Sequence, residues 1–242
     1  MPAQRVISAS PVVTDPRDPL TTLAKNRSTM TGKMADEGHA EGITVTSEGT
    51  QFSWIRGGER LEVATGLAGR HQAQNAMTAL TMLDALPEGL RRPLADDLPA
   101  LRAVSLPGRF SRHGAWIFDV AHNPDGSAVT AETLRGAAPA RPIVALVSIL
   151  GDKDWRGMLS ALTGDVDHFV LTNAPTAPAS RAWVGSEALE YAKSRGWSAE
   201  FEPDFDRALA LAPTRGATVL VTGSFHTVGD AMSRLQVSPT NG

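Results

Sequence analysis

The chain has 242 residues, of which 20% are charged and 42% hydrophobic, with a formal net charge of −3 and no cysteine. This length suffices for one or two domains with a sizeable core. The weak charge argues against a nucleic-acid surface, and the missing cysteines exclude disulfides, thiolate metal sites and a cysteine nucleophile.

No apolar run approaches the roughly 20 residues of a membrane span. No basic stretch followed by an apolar core marks a signal peptide. A cytoplasmic protein with no membrane or nucleic-acid partner is expected. Val6 to Val13 is strand-like but interrupted by proline, and Leu20 to Ala35 is weakly helical. From Gly42 short alternating runs follow: Ile43 to Thr46, Gln51 to Arg56 and Arg60 to Ala64, separated by Gly49, Gly57 and Gly58. They predict a small antiparallel meander. Gly69 to Asn75 then leads into a helix over Ala76 to Leu86, stopped by Pro87, and a polar helix or linker spans Glu88 to Ala103.

A domain boundary is placed near residue 104. Strands are expected at Ala115–Val120, Ile143–Ile149, His168–Leu171, Ser198–Phe201 and Thr218–Val221, and helices at about 125–136, 154–163, 185–195, 204–212 and 225–235. This alternation implies βαβ units: an α/β fold with a mostly parallel sheet. Parallel strands bring their carboxyl ends to one edge, where ligands of open α/β sheets bind. Those ends carry Asp119 with His122, Gly151-Asp-Lys153-Asp154, Thr172-Asn173, and Thr222-Gly-Ser224. Each taken singly suits a turn or a cap; together they favour a site. Asn123-Pro124 fits a helix N-cap followed by proline at the first helical position.

Several signatures are absent. No G-x-x-x-x-G-K-[ST] phosphate loop is present, no G-x-G-x-x-G follows a strand, and neither H-E-x-x-H nor G-x-S-x-G occurs. The six histidines lack metal-ligand spacing, and no metal ligand is assigned.

His71-Gln-Ala-Gln-Asn75, Pro107-Gly-Arg-Phe110, Asp119-Val-Ala-His-Asn-Pro124, Leu150-Gly-Asp-Lys-Asp154 and Val221-Thr-Gly-Ser224 occur in that order. The series resembles the later part of the bifunctional folylpolyglutamate synthase/dihydrofolate synthases of the Mur ligase superfamily, over roughly residues 40 to 235. The resemblance implies a Mur ligase C-terminal-type, Rossmann-like domain over 105–242, preceded over 1–104 by part of a central ATPase domain. It also implies ATP-dependent ligation of L-glutamate to a folate or dihydropteroate carboxylate through an acyl phosphate. By the same resemblance Asn75, Arg109, Asp119 and Asn123 bind the nucleotide, and His122, Ser224 and Lys153 serve the reaction where glutamate enters. Arg109 offers a permanently charged donor fork for phosphate, and Asp119 can accept hydrogen bonds from ribose hydroxyls.

The family's phosphate loop, magnesium ligands and usually carbamylated lysine would have to precede Met1. The chain is therefore expected to be a truncated, monomeric form without ligation activity of its own, its Mg2+ ligands lying in the missing part. Asp119→Asn is expected to impair activity and not folding. Three other readings stay open: a different Mur-type amino-acid ligase, a non-catalytic nucleotide-binding or interaction module, and a Rossmann oxidoreductase, which lacks its glycine fingerprint.

Overall fold

The computed structural model describes residues 38–237. The strand and helix expected within Val6–Val13 and Leu20–Ala35 lie outside them. Three antiparallel strands come first, β1 (His39–Thr46), β2 (Gly49–Arg56) and β3 (Glu59–Thr65). Side chains alternate across the sheet. Thr50, Phe52 and Trp54 of β2 are buried, and Phe52, Trp54 and Val63 pack on Ala73, Ala76, Met77 and Leu80 of helix α1 (Arg70–Asp84). The opposite face carries a polar network. Ser53 Oγ donates to Glu62, Arg60 pairs with Glu62 at 2.9 Å, and the Arg60 hydrogen bond holds the Glu62 carboxyl below its ordinary range. Helix α2 (Leu94–Arg102) follows where a polar helix or linker was expected.

The motif Gly69–Asn75 does not lead into the helix as expected; the helix begins at Arg70. Gly69 makes the turn at φ 127°, and a Cβ there would collide with the His71 ring and Thr133 Oγ1. Its N–H donates to the buried Thr50 Oγ1 at 3.0 Å, which ties the meander to the head of α1.

The second sheet has six strands in the order β4-β5-β9-β6-β7-β8. These are β4 (Ser111–His113), β5 (Trp116–Phe118), β6 (Ile143–Val147), β7 (His168–Leu171), β8 (Ala199–Phe201) and β9 (Thr218–Thr222). Only the β4–β5 pair is antiparallel. Between the strands run α3 (Pro124–Ala137), α4 (Trp155–Leu162), α5 (Gly185–Ser194) and α6 (Phe205–Leu211); α7 (Phe225–Arg234) follows β9.

Both faces are covered, so the central strands are continuous apolar runs. Ile143, Ala145 and Val147 face Leu134, Met158, Leu159 and Ala188 of α3, α4 and α5. Val144 and Leu146 face Phe205, Ala208, Val228 and Ala231 of α6 and α7. Of the neighbouring strands β5, β9, β6 and β7, only β9 sends its helix to this second face. The loops leaving β5 and β9 therefore diverge, and such a divergence opens a crevice at the carboxyl edge. The meander is seated on α3 beside that crevice: Val45 packs at Gly136, and Arg70 pairs with Glu132 at 3.6 Å.

Candidate active site

A cleft of about 320 Å³ lies between the head of α1 and the loop joining β5 to α3. Its lining includes His71, Gln72, Arg109, Asp119, His122 and Asn123. Four of the expected site residues are thus brought together.

Asp119 leaves the end of β5 half-buried, with every carboxylate bond inward. Oδ1 accepts from the Ala121 N–H and from Thr130 Oγ1 of α3, and Oδ2 accepts from the Phe110 N–H, all at 3.0 Å. Phe110 sits at φ 53°, an uncommon position for a side chain of that size. The carboxylate therefore pins a strained linker residue to the strand end, next to Arg109. Burial pushes the Asp119 carboxyl up, against the opposing pull of these hydrogen bonds and of Arg109. These bonds argue against the expectation that Asp119→Asn spares folding. An amide nitrogen replacing either oxygen would meet a donor that now bonds to the carboxylate.

Arg109 is exposed on the cleft wall. Among the described residues its guanidinium has no hydrogen-bonded or ion-paired partner within 4 Å, and so is available to an anion. The partly desolvated His71 ring is held below its usual value, first by burial and then by nearby Arg109, with Glu132 opposing. The Gln72 amide donates to His71 Nε2 at 2.9 Å, consistent with a neutral ring.

Asn123 caps α3: its Oδ1 accepts the Gly126 N–H at 2.7 Å, and Pro124 occupies the first turn. The remaining free N–H groups and the positive end of the helix dipole favour an anion in the cleft. His122 is exposed, with Nδ1 donating to the Val120 carbonyl at 3.1 Å and its ring against Phe225, centroids 5.7 Å apart. This fixes Nε2 as the acceptor of the neutral ring.

Asn75 does not line the cleft. It donates to Gln72 Oε1 at 2.9 Å and so steadies a residue that does. Lys153 lies on the loop after β6, also outside the lining. That loop is held by a two-pronged Asp152–Arg181 pair at 2.8 and 3.0 Å, with Asp154 capping α4. Ser224 is buried, accepts the Thr227 N–H at 3.1 Å and caps α7. Gly223 before it, at φ 111°, passes so close to the Ser148 carbonyl that a Cβ would stand 2.6 Å from the oxygen. Sequence reasoning left out His71 and Gln72, which the quoted His-Gln-Ala-Gln-Asn run contained, and Phe225, for which no local signal exists.

The sequence profile described as "Mur ligase, glutamate ligase domain" matches residues 108–225. Dihydrofolate synthase/folylpolyglutamate synthase of Mycobacterium tuberculosis is 33% identical over 196 residues, covering 72% of this chain and 40% of that protein. The Escherichia coli enzyme of the same name is 34% identical over 175 residues, covering 69% and 39%. The chain thus spans about two fifths of the length of these relatives. In three dimensions it is similar to the M. tuberculosis folylpolyglutamate synthase solved with ADP and AMPPCP, with a TM-score of 0.70 and 26% identity over 83% of this chain and 48% of that one. A carboxyl-edge cleft beside a capped helix, on a fold and sequence of this kind, identifies residues 108–225 as a Mur ligase glutamate ligase domain, in a chain whose relatives are folylpolyglutamate/dihydrofolate synthases.

Proposed function

We propose that this chain provides the nucleotide cleft and the amino-acid-binding edge for ATP-dependent ligation of L-glutamate to a folate-type carboxylate. The carrying observation is the Arg109 guanidinium, unpaired among the described residues, beside Asp119 and the capped α3 N-terminus, in a chain related to enzymes named for that reaction. On this reading Arg109 holds nucleotide phosphate, Asp119 shapes the wall that Arg109 stands on, and His71 and Gln72 border the nucleotide. A substrate carboxylate oxygen attacks the γ-phosphorus, the bond to the β-bridging oxygen breaks, and ADP leaves. The glutamate nitrogen, having lost a proton, then attacks the acyl carbon. The carbon–oxygen bond to phosphate breaks, giving amide, inorganic phosphate and one net proton.

His122 Nε2 and the edge around Ser224 face the crevice that glutamate would enter, with Lys153 on the adjoining loop. Magnesium, when bound, would offset phosphate charge. Among the described residues no three His, Asp or Glu side chains converge as a cation cage, so these residues are not assigned that ion. The same reading divides the chain near residue 104, the meander and α1 belonging with an ATPase domain.

Calorimetric titration of the chain with ATP and ADP tests the nucleotide assignment. Saturable binding that weakens at least tenfold in Arg109→Ala is expected. Wild-type protein that binds neither nucleotide removes the reading.

A further inference from the structure

The loop after β7 is fastened to α7 by a group that nothing above uses. Asp230 of α7 is 5% exposed. Its Oδ2 accepts two bonds from Thr176, from the backbone N–H at 3.1 Å and from Oγ1 at 3.0 Å. Thr176 Oγ1 also lies 3.1 Å from Nδ1 of His226, the second residue of α7. A hydroxyl has one proton, and an ionised carboxylate can only accept. The Thr176 proton therefore goes to Asp230, and the oxygen is left to accept from His226. His226 must carry its proton on Nδ1, and Nε2 of the neutral ring is an acceptor.

The position of this chain of bonds matters. Ser224, Phe225 and His226 are consecutive at the head of α7. Phe225, 60% exposed, touches His122 on the β5 side, while His226 engages Thr176 on the β7 side. The head of α7 thus bridges the carboxyl ends of the sheet with two histidines, each locked by an Nδ1 bond and each presenting Nε2 as an acceptor.

We propose that Asp230, Thr176 and His226 form a positioning relay for the amino-acid substrate, in which His226 Nε2 accepts a hydrogen bond from the substrate's α-ammonium group. The proposal rests on the ligase reading and adds a specificity element to it: a ligand that lacks the amine finds no partner at His226. Asp230 and Thr176 act through His226 and are positioning residues.

The test uses the full chain and NMR of its imidazole nitrogens. The native protein should show His226 as the Nδ1–H tautomer, and L-glutamate should shift its Nε2 resonance saturably while glutarate, the same diacid without the amine, does not. Thr176→Val removes the hydroxyl but keeps the backbone N–H to Asp230, so the loop stays anchored. It should abolish the tautomer preference and weaken glutamate binding about five- to tenfold, the scale of one lost hydrogen bond. Thr176→Ser should restore both. An Nε2–H tautomer in the native protein overturns the proposal, as does an unchanged tautomer in Thr176→Val. A glutamate shift at His122 with none at His226 overturns the relay and leaves the ligase reading standing. No glutamate response anywhere on the chain overturns both.

Discussion

The two sheets bury their side chains in different ways. In the six-stranded sheet, Val144, Ala145, Leu146 and Val147 are all 0% exposed, because helices cover both faces. In the meander, Phe52 and Trp54 are 3% exposed under helix α1, whereas on the other face Gln51 is open to solvent and Ser53 is covered only by the side chains of Arg60 and Glu62. The larger sheet makes a rigid floor whose carboxyl edge can hold loops in register. The meander is a thin layer that contributes little chemistry of its own and brings the head of α1, with His71 and Gln72, against α3. The cleft exists only where the two regions meet, so its walls have unequal stiffness.

The same deletion made in each region sharpens this contrast most. Phe118→Ala, between helices and strands of the larger sheet, should cost about 3–5 kcal/mol by urea denaturation. Phe52→Ala should fall at or below the lower end of that range, since a single covered face relaxes more readily. Equal losses would erase the distinction.

Next in size is Arg109→Ala at the junction. Loss of a charge-assisted contact should weaken ATP binding by about 1.5–3 kcal/mol, roughly ten- to hundredfold. The unfolding midpoint should stay put, as the exposed guanidinium has no protein partner among the described residues. A shifted midpoint with unchanged calorimetric affinity would make Arg109 a structural residue.

Asp119→Asn should do both things on a smaller scale. It should lower stability by about 1–3 kcal/mol, because a donor replaces an acceptor before a backbone N–H, and weaken nucleotide binding by releasing Phe110 and its neighbour Arg109. Denaturation and calorimetry on one sample separate the two effects. A variant as stable as the native protein would contradict the bond from Phe110.

The smallest expected effect lies at β8, away from the junction. Arg215 holds the Glu200 carboxyl below its ordinary value, assisted by His168 and opposed by burial. A depressed carboxyl stabilises the fold above its unfolded value, about 4.3, and that contribution disappears as pH falls through the folded value. Native protein should therefore exceed Glu200→Gln in melting stability at pH 7 by under about 1 kcal/mol, the gap closing in thermal melts below pH 4. ATP affinity should not change at neutral pH. A gap that widens in acid would reverse the assigned sign.

Much of this was legible where the pattern was local. His168–Leu171 reads as a strand because a short apolar run is bounded by polar residues, and the structure has that strand at those bounds. β4 was not legible: Ser-Arg-His has no alternation, and it becomes a strand only by pairing with β5. The start of α1 was misplaced because a glycine at positive φ, held by Thr50, sets it. At the site, order along the chain pointed to Arg109, Asp119, His122 and Asn123: the last three follow the carboxyl end of β5, and Arg109 precedes β4, whose antiparallel pairing brings its start to that same end. The Phe110 bond to Asp119 and the Thr176–Asp230 bond join residues 9 and 54 positions apart, and no period in the sequence marks such partners.

The strand order has a consequence for synthesis. β9 lies between β5 and β6, yet it is made last of the six. As the chain leaves the ribosome, β5 and β6 are complete while the strand that joins them is still about 70 residues from being translated. Until Thr222 emerges, the inner edges of both have unpaired backbone groups, and Phe118 and Leu146 lack Val219 and Val221 beside them. The nascent chain can form the β6–β7–β8 unit early, but the carboxyl-edge crevice closes in one late step, when β9 slots into the gap and carries the head of α7 into place.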